Sequence, residues 1–131
     1  GKPVNQAVGA RPKAQILSML YGGRAMGFFD FLKRPDINQG LQECRSIPGA
    51  ILVDVRSSRE YREGHIPSSL NLPLEIIDSA PSVLKDREAP LYVYCYSGAR
   101  SAQAARVLVS MGFRNVKNIG GIASYSGPVE C

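Results

Sequence analysis

A cysteine attacks or carries a group only as its thiolate. Of the three cysteines in this chain, Cys44, Cys95 and Cys131, only Cys95 has neighbours that would ionise it. It lies near the end of an apolar run, LYVYCY at 91–96. Tyr96, Ser97, Gly98, Ala99 and Arg100 follow, before the helix-forming stretch SAQAARVLVSM at 101–111. A tight loop from a strand into a helix can curl so that successive N–H groups point inward. The helix behind it adds its unpaired N–H groups and the positive end of its dipole. These features favour an anion and draw a thiol pKa from about 8.5 toward roughly 3.5–7.5. Gly98 permits the curl without a Cβ clash, and Arg100 adds a fixed charge with a two-pronged donor face for an oxyanion. A cation in the first turn of a helix opposes the dipole, so Arg100 itself points to an anion. The commoner fate of a cysteine is structural burial, and the composition of this loop decides against it for Cys95.

The elements that must hold this loop can be read from the same text. Asp36 caps a helix with Ile37, Leu41 and Cys44 at helical spacing, ended by Pro48 and Gly49. AILVDV at 50–55 and LYVYCY at 91–96 are short, almost wholly apolar runs rich in β-formers, and so buried strands. Residues 58–63 form a short helical turn, 64–67 (GHIP) a turn, 70–72 a short extended piece and 74–79 another short helix. In the long helix over 101–111, Ala102, Ala105, Leu108 and Val109 are expected on the inner side, with Gly112 closing it. Residues 116–119 form a further strand, and Gly120 and Gly121 break into a final short helix. Strands alternating with helices imply a mostly parallel sheet covered on both faces, whose ligands sit beyond the carboxyl ends of the strands. Cys95 stands there.

Composition removes several other functions. A chain of 131 residues, 44% hydrophobic and 21% charged, fits one folded domain with a core, and no apolar run approaches the ~18 residues of a membrane span. Three cysteines without paired spacing argue against a disulfide framework and for a reducing, cytoplasmic setting. One histidine and no Cys-x-x-Cys argue against a metal site, and no cofactor is implied. The net charge of +5 is carried entirely by residues 1–35, the rest of the chain being neutral. The basic excess therefore belongs to an N-terminal extension, and neither nucleic acid nor membrane is expected as a partner. Residues 1–25 mix Gly, Pro, Ala and basic residues and are expected to be disordered, as upstream or added sequence. MGFFDFLKRPD at 26–36 reads like a natural start, and the folded domain is expected over 36–131.

Asp54-Val55-Arg56, Glu60-Tyr61, Gly64-His65-Ile66-Pro67 with Asn71 and Pro73, Cys95 through Ser101, Gly112-Phe113 and Gly120-Gly121-Ile122 follow one another in an order that strongly resembles the rhodanese family. Each motif is weak alone; the series spans about residues 36–130. The likeness is to the single-domain bacterial sulfurtransferases. It implies a five-stranded, mostly parallel sheet between helices. It also implies a mechanism in which the cysteine takes the outer sulfur of thiosulfate, sulfite leaves, and the resulting persulfide passes its sulfur to cyanide or a thiol. On this reading Cys95 is the catalytic residue. Tyr96, Ser97, Gly98, Ala99 and Arg100 bind substrate, with Arg59 at the mouth, and the partners are small sulfur donors and acceptors or a sulfur-relay protein. His65, Asp54, Arg56 and Glu60 organise structure. The chain departs from the pattern at Ser68-Ser69, where Gly-Ala is common, and at Tyr125, where Trp is common.

Two other readings share these features. Dual-specificity phosphatases of the Cdc25 type and arsenate reductases use the same strand–cysteine–loop–helix plan with five residues between Cys and Arg. Here four intervene between Cys95 and Arg100, and the smaller cradle suits a terminal sulfur better than a phosphate. The other is a relay or docking module with little turnover of its own; retention of Cys95 argues against docking alone.

Overall fold

The computed structural model describes residues 4–6, 10–11 and 35–131. The chain divides into two units, Gly1–Arg34 and Pro35–Cys131. In the first, β1 (Val4–Gln6) and β2 (Ala10–Arg11) pair in parallel. The expectation of a disordered extension otherwise falls outside the described residues.

The second unit holds the sheet. α1 (Ile37–Ser46) starts where Asp36 accepts a hydrogen bond from Asn38 N at 3.0 Å, as expected of a short polar cap. β3 (Ile51–Asp54) leads to α2 (Ser58–Glu63), which opens on a capping box between Ser57 and Glu60. β4 (Leu70–Asn71), a 3-10 helix (Leu74–Ser79) and the single turn α3 (Ala80–Val83) follow. Next come β5 (Leu91–Cys95), α4 (Ala99–Ser110), β6 (Val116–Gly121) and a 3-10 turn (Ile122–Ser124). The strand order is β4-β3-β5-β6, all parallel.

β5 is central and buried throughout. Its side chains alternate between two apolar layers, as a strand's period of two requires. Leu91, Val93 and Cys95 join Val53, Leu84, Ala104, Leu108 and Phe113 on the α4 side. Tyr92 and Tyr94 join Ile37, Leu41, Cys44 and Ile119 on the α1 side. The hydrophobic strand signal and the placement of Cys95 are thus one feature: it is the last inward residue of the α4 layer.

Two expectations are corrected. The sheet among the described residues has four strands, not five. The sequence itself offers four extended segments in the region of the sheet, and all four pair. The fifth was implied only by resemblance, and at the head of the domain Pro35 and the Asp36 cap lead straight into α1. In α4 the buried stripe is Ser101, Ala104 and Leu108, whereas Val109 is 57% exposed. The apolar pattern misplaced the stripe because a serine occupies an inward position, where hydrogen bonds compensate its burial.

Candidate active site at the end of strand β5

Cys95 is 1% exposed, and Gly98 N–H donates to its Sγ at 3.0 Å. Ser101 Oγ stands 3.4 Å from the same sulfur. Burial pushes the thiol pKa up. The Ser101 hydroxyl and the backbone N–H groups of Ser101, Gly98 and Ser97 outweigh it, leaving the pKa below its ordinary value. Cys44 is the internal contrast: it is also buried, and there burial prevails and its thiol is raised. Local donors, not burial, therefore distinguish the two.

The loop's shape depends on two glycines. Gly98 caps α4 at φ 103°, a left-handed conformation that a side chain resists. Gly121, at the end of β6, has the Tyr96 carbonyl and the Ser97 Cα where a Cβ would stand. The carbonyl of Tyr96 in turn accepts from Ala123 N at 3.0 Å, tying the loop to the turn after β6.

The expected site residues separate into two groups. Cys95, Ser97 and Gly98 come together at the sulfur. Ala99 and Arg100 occupy the first turn of α4, where their N–H groups have no carbonyl four residues earlier within the helix. The side chain of Tyr96 lies outward, the residue being 55% exposed. The guanidinium of Arg100 is held by Glu60, Nη1 to Oε1 at 2.8 Å and Nη2 to Oε2 at 3.0 Å. That pairing lowers the Glu60 carboxyl from 4.5 to about 2 and raises the arginine. Arg100 thus joins the start of α4 to the start of α2 by its two-pronged face. Arg59 is paired with Glu63 at 3.4 Å on the exposed side of α2.

The organising residues stand behind the loop. Asp54 and Arg56, both buried, form an ion pair at 2.8 Å, and Arg56 also donates to the Gly64 carbonyl at 2.7 Å. Asn71 Nδ2 donates to the carbonyls of Asp54 and Arg56, each at 3.0 Å. Tyr94 OH accepts from Ile66 N at 3.1 Å, holding the 64–67 turn to β5. His65 stacks on Tyr61 with ring centroids 3.7 Å apart.

Sequence reasoning did not single out the Ser101 side chain or Asn118 as site residues. Ser101 Oγ is 2.6 Å from Asn118 Oδ1. The available signals were a serine at the inward phase of α4 and an asparagine just before the Ile-Gly-Gly turn. Among the described residues no group of His, Cys, Asp and Glu is arranged to hold a metal, and no helix is long and apolar enough to cross a membrane.

With this geometry in hand, known proteins offer a comparison. Residues 35–127 match the family model described as a rhodanese-like domain. A thiosulfate sulfurtransferase, GlpE of Pseudomonas savastanoi pv. phaseolicola, is 40% identical over 88 residues, covering 66% of this chain and 77% of that protein. The putative sulfur carrier protein YrkF of Bacillus subtilis is 34% identical over 80 residues, 60% of this chain and 43% of YrkF. Among solved structures, the human single-domain sulfurtransferase TSTD1 superposes with a TM-score of 0.61 at 27% identity, covering 71% of this chain and 96% of that one. The match spans the whole series from the Asp36 cap through the Cys95 loop to the turn after β6, and the chain belongs to the rhodanese-like family of sulfurtransferases.

Proposed function

We propose that this protein transfers sulfane sulfur through a persulfide on Cys95, with thiosulfate or another persulfide as donor and cyanide or a thiol as acceptor. One observation carries the reading: Gly98 N–H donates to the Cys95 sulfur at 3.0 Å and Ser101 Oγ stands 3.4 Å from it, donors that favour the thiolate. In the loading step the thiolate attacks the outer sulfur of thiosulfate. A new S–S bond forms, the bond to the sulfonate sulfur breaks, and sulfite leaves with the electron pair. The enzyme-bound persulfide keeps the single negative charge. In the second step the acceptor's lone pair attacks the outer persulfide sulfur and Cys95 leaves as thiolate. This divides one transfer into two displacements.

The chain's own groups support each part. A thiol whose pKa is lowered gives up its proton more readily, which lessens the need for a general base. The first-turn N–H groups of Ala99 and Arg100 face outward from the helix start, suiting them to the sulfonate oxygens or the outer sulfur. Cys95 is 1% exposed, so a slender donor reaches it better than a bulky one. The bidentate hold of Glu60 on Arg100 occupies the donor face that a tetrahedral oxyanion would need, which weighs against a phosphatase. Resemblance to a sulfur carrier favours a second reading, in which the same persulfide is handed directly to a protein partner. Parallel assays separate these readings. Thiocyanate formation from thiosulfate and cyanide, exceeding phosphate release from an aryl phosphate, is expected; the reverse ranking would make the protein a phosphatase. Loading by thiosulfate without thiocyanate formation would identify a carrier.

A further inference from the structure

Beneath the Cys95 sulfur lies a hydroxyl with one proton and more acceptors than it can serve. Ser101 is 0% exposed. Its Oγ stands 2.6 Å from Asn118 Oδ1, 3.1 Å from the Gly98 carbonyl, and 3.4 Å from both Cys95 Sγ and the Gly120 carbonyl. A serine hydroxyl has a single hydrogen to donate. The orientation of the Asn118 amide follows from its other partners: Gly120 N–H donates to Oδ1 at 3.0 Å, and Nδ2 faces the Gly98 carbonyl at 3.4 Å. The Asn118 atom facing Ser101 is therefore an acceptor, and the serine is the donor in the shortest of its four contacts.

The sheet is built to place that acceptor. Pairing between β5 and β6 passes from Val93↔Asn118 to Tyr94↔Gly120, leaving Ile119 as an extra residue, and Gly120 takes φ 105°. A bulge re-aims side chains. Here Ile119 goes into the α1 layer and Asn118 reaches the start of α4.

We propose that Asn118 is a positioning residue that sets the proton affinity of Cys95 by competing with its sulfur for the Ser101 proton, an inference that rests on Cys95 being the nucleophile. In the thiol form the S–H donates to Ser101 Oγ, and the hydroxyl donates to Asn118 Oδ1. In the thiolate form the hydroxyl turns to the sulfur, and Oδ1 retains only Gly120 N–H. When the sulfur is loaded, the charge moves to the outer atom and the hydroxyl returns to Asn118. Asn118 thereby disfavours the free thiolate relative to both thiol and persulfide. It trades some thiolate population for a more basic and more nucleophilic sulfur. The charged groups around the loop are paired: Arg100 of α4 with Glu60 of α2, Asp54 with Arg56 after β3, and Lys117 of β6 with Glu43 of α1. Ser101 and Asn118 are neutral, so their exchange can be altered without moving these charges.

The test is the pH profile of Cys95 alkylation by iodoacetamide, read by peptide mass in the full chain without any sulfur donor. It is therefore separate from the sulfur-transfer reading, which thiosulfate loading tests. Asn118→Ser keeps an oxygen able to cap Gly120 N–H but too short to reach Ser101. Ser101→Ala should raise the midpoint. Asn118→Ser should lower it by about half to one pH unit, the worth of the neutral hydrogen bond lost from the thiol form. The double variant should match Ser101→Ala. An unchanged or raised midpoint in Asn118→Ser overturns the proposal, because a residue that merely supports the loop gives that result. An equal drop in the Ser101→Ala background overturns it as well. Should Asn118→Ser fail to fold, Asn118→Asp replaces it. Its carboxylate holds the hydroxyl more tightly, and its rise in midpoint must be larger with Ser101 present than absent; equal rises overturn the proposal.

Discussion

Cys44 and Cys95 are both buried, yet one thiol is raised and the other lowered. The difference makes residue-scale predictions. Iodoacetamide at a pH below the ordinary thiol range should label Cys95 before Cys44, checked by peptide mass. Linkage gives a second. The folded value of Cys95 lies below its ordinary value. The stability this contributes is fully present above the ordinary value and is lost as pH falls through the folded value. The melting temperature of wild type minus that of Cys95→Ala should therefore rise from acid toward alkaline pH. At this scale the sequence was informative about Cys95, Ser97 and Gly98, because loop chemistry is local. Arg100 was legible as a cation at the loop but not as the partner of Glu60, a contact forty residues away in sequence. Ser101 and Asn118 meet across seventeen residues, and no local pattern announces that.

The elements that hold the loop carry their own tests. Gly98→Ala places a side chain at φ 103° and is expected to cost about 1–2 kcal/mol. It should also raise the Cys95 midpoint by opening the curl, measured by denaturation and by the alkylation profile. Ser57→Ala removes the capping oxygen of α2 and is expected to cost about 1 kcal/mol. Asp54→Ala leaves the Arg56 charge buried without its partner. Such a change costs roughly 3–5 kcal/mol, which urea titration would show. Element types were readable because strand and helix periods differ and because Asp36 and Ser57 mark helix starts. The inner face of α4 was misread by a small rotation, since Ser101, a polar residue, breaks the apolar pattern at an inward position.

At the scale of the whole chain, the charge excess and the candidate site fall in different stretches of the sequence. The +5 excess lies in residues 1–35 and the remainder is neutral, so a chain beginning at Met26 is expected to load sulfur and to melt like the full chain; a clear loss in either would make the extension part of the working protein. The parallel sheet was legible because buried strands and amphipathic helices alternate. The strand count came from resemblance, and the sheet of the second unit pairs only the four segments its own residues support. The bulge at Ile119 was not legible, because register is set by packing between strands and not by composition. The central claim is that Cys95 carries sulfur. Intact mass after incubation with thiosulfate and removal of excess donor tests it most directly. One added sulfur atom, absent in Cys95→Ala and removed by cyanide, is the predicted result. No addition, or the same addition in Cys95→Ala, would contradict it.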